Sequence, residues 1–282
     1  MAADADSAHV NKSYFNDEAT NYDSKHRKLN ERLTRELQAR LAFIGVDWVS
    51  DDDEGDESDE DEDEDEKVKE SRKRRKKGAE RSDENRREVR LLDYACGTGM
   101  ISRALAPYTT QCVGIDISEN MVAAYNARAE NQGLSSTEMH AMIGDLTVPD
   151  TSDHPAELSA PHMSNFDIAA VGGGFHHFAD PQLAATRLVE RLRPGGVLLI
   201  WDFLPHGGGH GHKHGAQHTV MHHGFSEGHI RSIFERAGAG QDFGLAVIGG
   251  GVIMGHGSLE EGDHAGQEAL KRQVFFARGT KA

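Results

Sequence analysis

At 282 residues the chain has room for one α/β domain of ordinary size with extensions, and it contains no run of about 18 apolar residues and no basic, then apolar, amino-terminal stretch, which leads us to expect no membrane span, no signal peptide and a soluble, cytoplasmic or nuclear protein. Two cysteines, Cys96 and Cys112, without a CxxC pattern exclude a disulfide framework and a cysteine-built zinc site. The net charge of -16 is local: residues 51–66 hold 14 acidic and no basic residues, so the rest of the chain is nearly neutral.

In chain order, Leu29, Leu33, Leu37, Leu41 and Ile44 recur at helical spacing and predict one amphipathic helix over 24–44. The acidic run follows, and then a basic run over 67–77 with eight basic residues and one acidic. Such blocks repel themselves and offer nothing to bury, so 51–88 reads as a disordered insertion between an amino-terminal part, 1–50, and a main domain, 89–282. From there short apolar runs alternate with helical patterns. Strands are expected at 89–94, 111–116, 139–143, 166–171 and 196–203, helices at 99–107, 118–131, 181–192 and 226–237, and a closing pair of strands at 242–254 and 271–279. Strands spaced by helices indicate crossover units, a parallel sheet with helices on both faces, and a ligand crevice at the carboxyl ends of the strands.

The first strand ends in "LLDYACGTGM", residues 91–100, a carboxylate directly ahead of a glycine-rich turn. Gly97 and Gly99 permit a tight turn and a close approach of backbone to a ligand. A dinucleotide loop needs a third glycine where Ser102 stands, and a phosphate-binding loop needs Gly-Lys-Ser/Thr; neither is present. Asp93 would repel a pyrophosphate and attract a ligand that carries an ammonium and a sulfonium and no phosphate, which describes S-adenosylmethionine.

Here the sequence resembles the class I S-adenosylmethionine-dependent methyltransferases, in particular their small-molecule and quinone-biosynthesis branch. "LLDYACGTG" resembles the family's first motif, with Ala95 where many members have glycine. "VGIDIS" (113–118) resembles the second strand, whose terminal acid holds the ribose hydroxyls, a role that maps onto Asp116. "MIGDLT" (142–147) resembles the third, with Asp145 on the adenine amino group. "FDIAAVGGGFHHFAD" (166–180) and "RLRPGGVLLIWDF" (191–203) resemble the fourth strand with its substrate-facing loop and the turn into the fifth. The resemblance implies a Rossmann-like fold with a mostly parallel seven-stranded sheet. It implies donor contacts at Asp93, Ala95, Cys96, Gly97, Thr98, Gly99, Asp116, Ile117, Met121, Gly144, Asp145, Leu146 and Gly172. Leu92, Ile115, Ile117 and Val171 also read as core.

His176 and His177, just past strand four, are the candidates for a general base, since imidazole can accept a proton near neutral pH. The segment 13–29 resembles the lid ahead of the core in small-molecule methyltransferases, with Tyr14, Phe15 and Tyr22 closing over donor or acceptor. Residues 206–229 carry eight of the 17 histidines, but glycine-separated histidines have no fixed geometry, so a loop whose His218, His222 and His223 touch substrate is expected in place of a metal site. The basic run 67–77 resembles a nuclear import signal that an import receptor would read; no membrane or nucleic-acid partner is expected. The function expected is methyl transfer from S-adenosylmethionine to oxygen, nitrogen or activated carbon of a small molecule. A protein methyltransferase, or a catalytically silent adenosyl-binding module for interaction or metal sensing, are the alternatives.

Overall fold

Apolar runs that do not alternate mark strands covered on both sides. The computed structural model, which describes residues 2–49, 87–148, 156–206, 217–249, 252–254 and 270–282, places every such run in one sheet. Its strands are β1 (Arg90–Tyr94), β2 (Gln111–Asp116), β3 (Met139–Ile143), β4 (Phe166–Gly172), β5 (Leu192–Phe203), β6 (Gln241–Val247) and β9 (Val274–Thr280). The order is β3-β2-β1-β4-β5-β9-β6. β1 to β5 pair in parallel, and β9 runs antiparallel between β5 and β6. This is the mostly parallel seven-stranded sheet expected. The strand order reverses between β1 and β4, so the loops after those two strands flank the crevice where ligands bind in such sheets.

Alternate residues of each strand feed two cores. Leu91, Ile168, Ala170 and Leu199 face one side, Leu92, Ala169, Val171 and Leu198 the other, all essentially inaccessible. The first side is covered by α2 (Tyr22–Gln38), α3 (Leu41–Ile44), α4 (Met100–Leu105) and α5 (Glu119–Asn131) through Leu33, Leu37, Ile44, Ile101, Val122 and Tyr125. The second is covered by α6 (Pro181–Arg191) and α7 (Glu227–Ala237) through Leu188, Val189, Ile230 and Phe234. Ser118, Asp180 and Ser226 cap α5, α6 and α7 by accepting from the backbone N–H three residues on, each satisfying a donor that the helix start leaves free.

Three sequence expectations differ in detail. First, residues 24–44 form two helices, with the break at Ala39 and Arg40, where Arg40 N donates to Leu37 O and the last turn tightens. Gly45, at φ 76°, ends α3, and the Arg278 guanidinium from β9 donates to Ile44 O (3.0 Å) and Asp242 O (2.6 Å), fastening helix end to sheet. Second, the segment 242–254 does not run as one strand. β6 stops at Val247 ahead of the glycines 249–251, which supply no side chains for a strand to pack, and β7 (Val252–Met254) pairs with β8 (Leu270–Arg272) in a separate two-stranded sheet. Third, the polar start of the chain forms a helix that the sequence did not announce, α1 (Ala2–Glu18). The insertion read at 51–88 lies outside the described residues except for its last two, of which Arg87 pairs with Asp47.

Candidate functional site

The turn after β1 takes left-handed backbone at Ala95 (φ 53°), Gly97 (52°) and Gly99 (85°). At Gly99 glycine is required twice over, because a Cβ there would also lie 2.7 Å from the Tyr125 ring. A Cβ at Gly97 would meet no protein atom within 4 Å, so this glycine borders open space. Its N–H donates to Asp116 Oδ2 at 2.8 Å, while Ser118 N donates to Oδ1 at 2.9 Å. Asp116 is therefore aimed and held at the end of β2. Burial pushes its pKa up, and the two backbone donors oppose that shift.

Asp145, just beyond β3, is fixed in the same manner. Its Oδ1 accepts from the Tyr94 hydroxyl (2.8 Å), Thr147 N (2.8 Å) and Thr147 Oγ1 (2.7 Å), and Oδ2 takes none of these bonds. The Tyr94 hydroxyl in turn accepts from Leu146 N at 3.2 Å. Both carboxylates open onto one cavity of about 500 Å³, within the range of small-molecule sites.

Of the residues assigned to the donor, Ala95, Gly97, Asp116, Ile117, Met121, Asp145 and Gly172 line this cavity. Asp93, Cys96, Thr98, Gly99, Gly144 and Leu146 do not. Asp93 is the substantive correction. It is 2 % exposed, and its Oδ2 accepts from Ser102 Oγ (2.7 Å) and Ser102 N (3.1 Å), so it ties α4 to β1 from behind the turn. Burial raises its pKa to about 7, mitigated by the Ser102 bonds. Cys96 and Leu146 pack in the core, Gly99 starts α4, and Gly144 N donates to Asp116 O. Thr98 donates through Oγ1 to Asp23 Oδ1 at 2.5 Å.

The roof of the cavity comes from α1 and the start of α2. Ser7, Ala8, Asn11 and Phe15 lie at the three- and four-residue spacings of one helical face, and Tyr22 completes the cover. Phe15 and Tyr22 thus stand where the sequence put them. Tyr14 does not line the cavity; its ring meets His218 edge-on at 5.3 Å on the outer side. Polar bonds fasten α1 to the α5 start: Ser118 Oγ donates to Asn16 Oδ1 (2.6 Å), Asn16 Nδ2 donates to Glu119 Oε2 (2.9 Å), and Lys12 pairs with Glu119 (2.5 Å).

The histidines divide. His177 lines the cavity; its Nδ1 lies 2.8 Å from Thr219 O, which makes Nδ1 the protonated nitrogen and leaves Nε2 as an acceptor. Burial and the neighbouring His176 lower its pKa to about 3. His176 is absent from the cavity wall. Its Nδ1 sits 3.0 Å from Asp202 Oδ1, and its ring centre is 4.0 Å from that of His177. His218, His222 and His223 do not reach the cavity either, because the segment carrying them packs behind the His177 loop: Met221 N and His222 N both donate to His176 O, and His222 Nε2 lies 3.1 Å from Phe178 O. Residues 207–216 lie outside the described residues; among the described residues no group of three or more His, Cys, Asp or Glu could hold a metal, and no helix is long and apolar enough to cross a membrane.

Residues 92–200 match the family described as "Methyltransferase domain". An uncharacterized methyltransferase of Schizosaccharomyces pombe is 34 % identical over 152 residues, 52 % of each chain. The demethylmenaquinone methyltransferase of Thermus thermophilus is 31 % identical over 118 residues, 41 % of this chain and 48 % of that one. A ubiquinone biosynthesis O-methyltransferase of Psychrobacter arcticus is 29 % identical over 112 residues, 39 % of each. Over residues 92–200 the chain is similar to this methyltransferase domain family. It spans about half the length, or less, of these curated relatives.

The site suits the methyl donor of these methyltransferases. Among the described residues that line the cavity none is Lys or Arg, and three are carboxylates, Asp116, Asp145 and Asp180. A cationic ligand is favoured there and a pyrophosphate is not. Asp116, Ile117, Met121 and Asp145, which the sequence resemblance assigns to the donor, all line this cavity. Sequence reading missed Asn11, Tyr94, Thr147, Phe178 and Leu183 in the wall. Tyr94 and Thr147 adjoin recognised motifs and were within reach; Asn11 sits on a helix with no apolar stripe to reveal it.

Proposed function

We propose that the protein transfers the methyl group of S-adenosylmethionine to a small-molecule acceptor. The observation that carries this reading is the convergence on one cavity of two pre-aimed carboxylates, Asp116 and Asp145, with a neutral imidazole, His177. When bound, the donor supplies an electrophilic methyl group. The chain then has to orient the acceptor and keep water out. Phe15, Tyr22 and Phe178 wall the cavity with aromatic surface, Phe15 meeting the His177 ring edge-on at 5.3 Å. His177 presents Nε2 as a neutral hydrogen-bond acceptor on the cavity wall; with a pKa near 3 it is too weak a base to keep the acceptor's proton at neutral pH, so that proton leaves to solvent.

The reading is tested by calorimetric titration with S-adenosylhomocysteine and, separately, with NAD. S-adenosylhomocysteine alone should bind, and Asp116→Ala should weaken it at least a hundredfold while melting stays cooperative; comparable NAD binding sinks the proposal. The cytoplasmic or nuclear location and the import role of the basic run 67–77, which lies outside the described residues, are further proposals from sequence. Comparing the distribution of the tagged chain with and without residues 67–77 tests both.

A further inference from the structure

Next to the cavity one buried polar atom has no hydrogen-bond partner among the described residues. Asn11, 7 % exposed, donates through Nδ2 to His177 O at 3.2 Å, and its Oδ1 is buried without a hydrogen-bond partner. The orientation of this amide is fixed, since turning it over would set two carbonyl oxygens against each other. Asn11 therefore presents an acceptor, and no donor, beside the His177 loop. The other lining residues on α1 are Ser7, Ala8 and Phe15, and Phe178 and Leu183 also line the cavity. The two inner carboxylates, Asp116 and Asp145, lie at the ends of β2 and β3, and Asp180 is exposed and engaged by Leu183 N as the cap of α6.

We propose that Asn11 selects the methyl acceptor, and that the acceptor is an uncharged, largely apolar molecule whose O–H or N–H donates to Asn11 Oδ1. The inference rests on the function proposed above and adds the substrate class to it. An anionic acceptor would find no Lys or Arg among the described lining residues and would enter a cavity that already holds three carboxylates. An ammonium acceptor must lose a proton before its nitrogen can attack carbon, and with Asp116 and Asp145 engaged by the methyl donor it would find only the exposed, capped Asp180 to pair with. A neutral O–H or N–H satisfies the orphaned Oδ1 beside the His177 loop. A site built to accept a hydrogen bond discriminates strongly against analogues that lack the donor, because its own buried group is then left unpaired.

The test uses the full chain saturated with S-adenosylhomocysteine and four probes of similar size: 4-ethylphenol, ethylbenzene, 4-hydroxybenzoate and tyramine. We expect 4-ethylphenol to bind at least tenfold more tightly than each of the other three. In Asn11→Leu that preference over ethylbenzene should disappear, with S-adenosylhomocysteine affinity within twofold of wild type. Equal or tighter binding of 4-hydroxybenzoate or tyramine overturns the substrate class. An unchanged preference in Asn11→Leu, or no preference in the wild type, overturns the role of Asn11, as does a loss confined to S-adenosylhomocysteine, which would assign Oδ1 to the donor. The comparison of probes on the wild-type chain is independent of how the variant folds. Failure of the wild type to bind S-adenosylhomocysteine strikes the proposed function itself, so the two failures are distinguishable.

Discussion

One residue type serves two ends of this site. Asp116 closes β2 and Asp145 stands two residues past β3, and each keeps acceptor capacity because backbone or hydroxyl donors occupy only part of its lone pairs. Asp93 also closes a strand, yet Ser102 engages it behind the turn. Sequence spacing placed all three carboxylates at strand ends correctly; it could not say which way a side chain turns, because capping a helix and binding a cation ask for the same group. Tyr94 shows the converse. Its aromatic side chain reads as core, while its hydroxyl both donates to Asp145 and accepts from Leu146 N. Tyr94→Phe should therefore weaken S-adenosylhomocysteine binding about five- to thirtyfold, since it frees Asp145 from one of three donors and strands the buried Leu146 N–H, at a cost of about 1–2 kcal/mol. Calorimetry on Tyr94→Phe decides this; affinity within twofold of wild type would show that Thr147 alone aims Asp145.

At the scale of elements, the sheet and its five crossovers were legible because buried parallel strands write themselves as apolar runs, and α1 was not because its inward face consists of Ser7, Ala8, Asn11 and Phe15. A helix that roofs a polar ligand site has no reason to show an apolar stripe. The roof is held to the glycine turn by Asp23 at the start of α2, whose carboxylate accepts from Thr98 Oγ1 and pairs with Arg128 (2.8 Å) and, more loosely, Arg103 (3.4 Å). These ion pairs are half-buried, so truncating the shared acid leaves two guanidinium groups partly desolvated and unpaired. Asp23→Ala should cost about 1–3 kcal/mol and lower Tm by roughly 2–4 °C for each kcal/mol. It should also reduce S-adenosylhomocysteine affinity, because Thr98 and Tyr22 lose their common anchor. A scanning calorimetry trace that matches wild type would mean that the α1 contacts with Ser118 and Glu119 carry the roof unaided.

Across the whole molecule, the order β3-β2-β1-β4-β5-β9-β6 brings two oppositely perturbed groups into one domain, Asp93 at the end of β1 and His177 past the end of β4. No sequence pattern gives this pairing, since the perturbation of each is set by tertiary burial. Asp93 has a folded pKa of about 7 against an ordinary 3.8, so between these values the folded chain holds a proton that the unfolded chain has released. Its contribution to stability is greatest below pH 3.8 and is lost as pH rises toward 7. His177 has a folded pKa of about 3 against an ordinary 6.5, so there the unfolded chain holds the extra proton; its contribution is present above pH 6.5 and is lost as pH falls toward 3. Through the window from about pH 4 to 6.5 the two proton counts offset each other. Substituting either group exposes the other. Asp93→Asn keeps an oxygen to accept from Ser102 and removes the titration, so acidification should erode the stability of this variant faster than that of wild type, by up to about 1.4 kcal/mol per pH unit. His177→Gln should show the opposite deviation of similar size. Urea unfolding at pH 4.5, 5.5 and 6.5 measures both slopes as differences from wild type, in which every other titrating group cancels. If both variants follow the wild-type slope, the two groups are not buried in the charge states that the fold assigns to them.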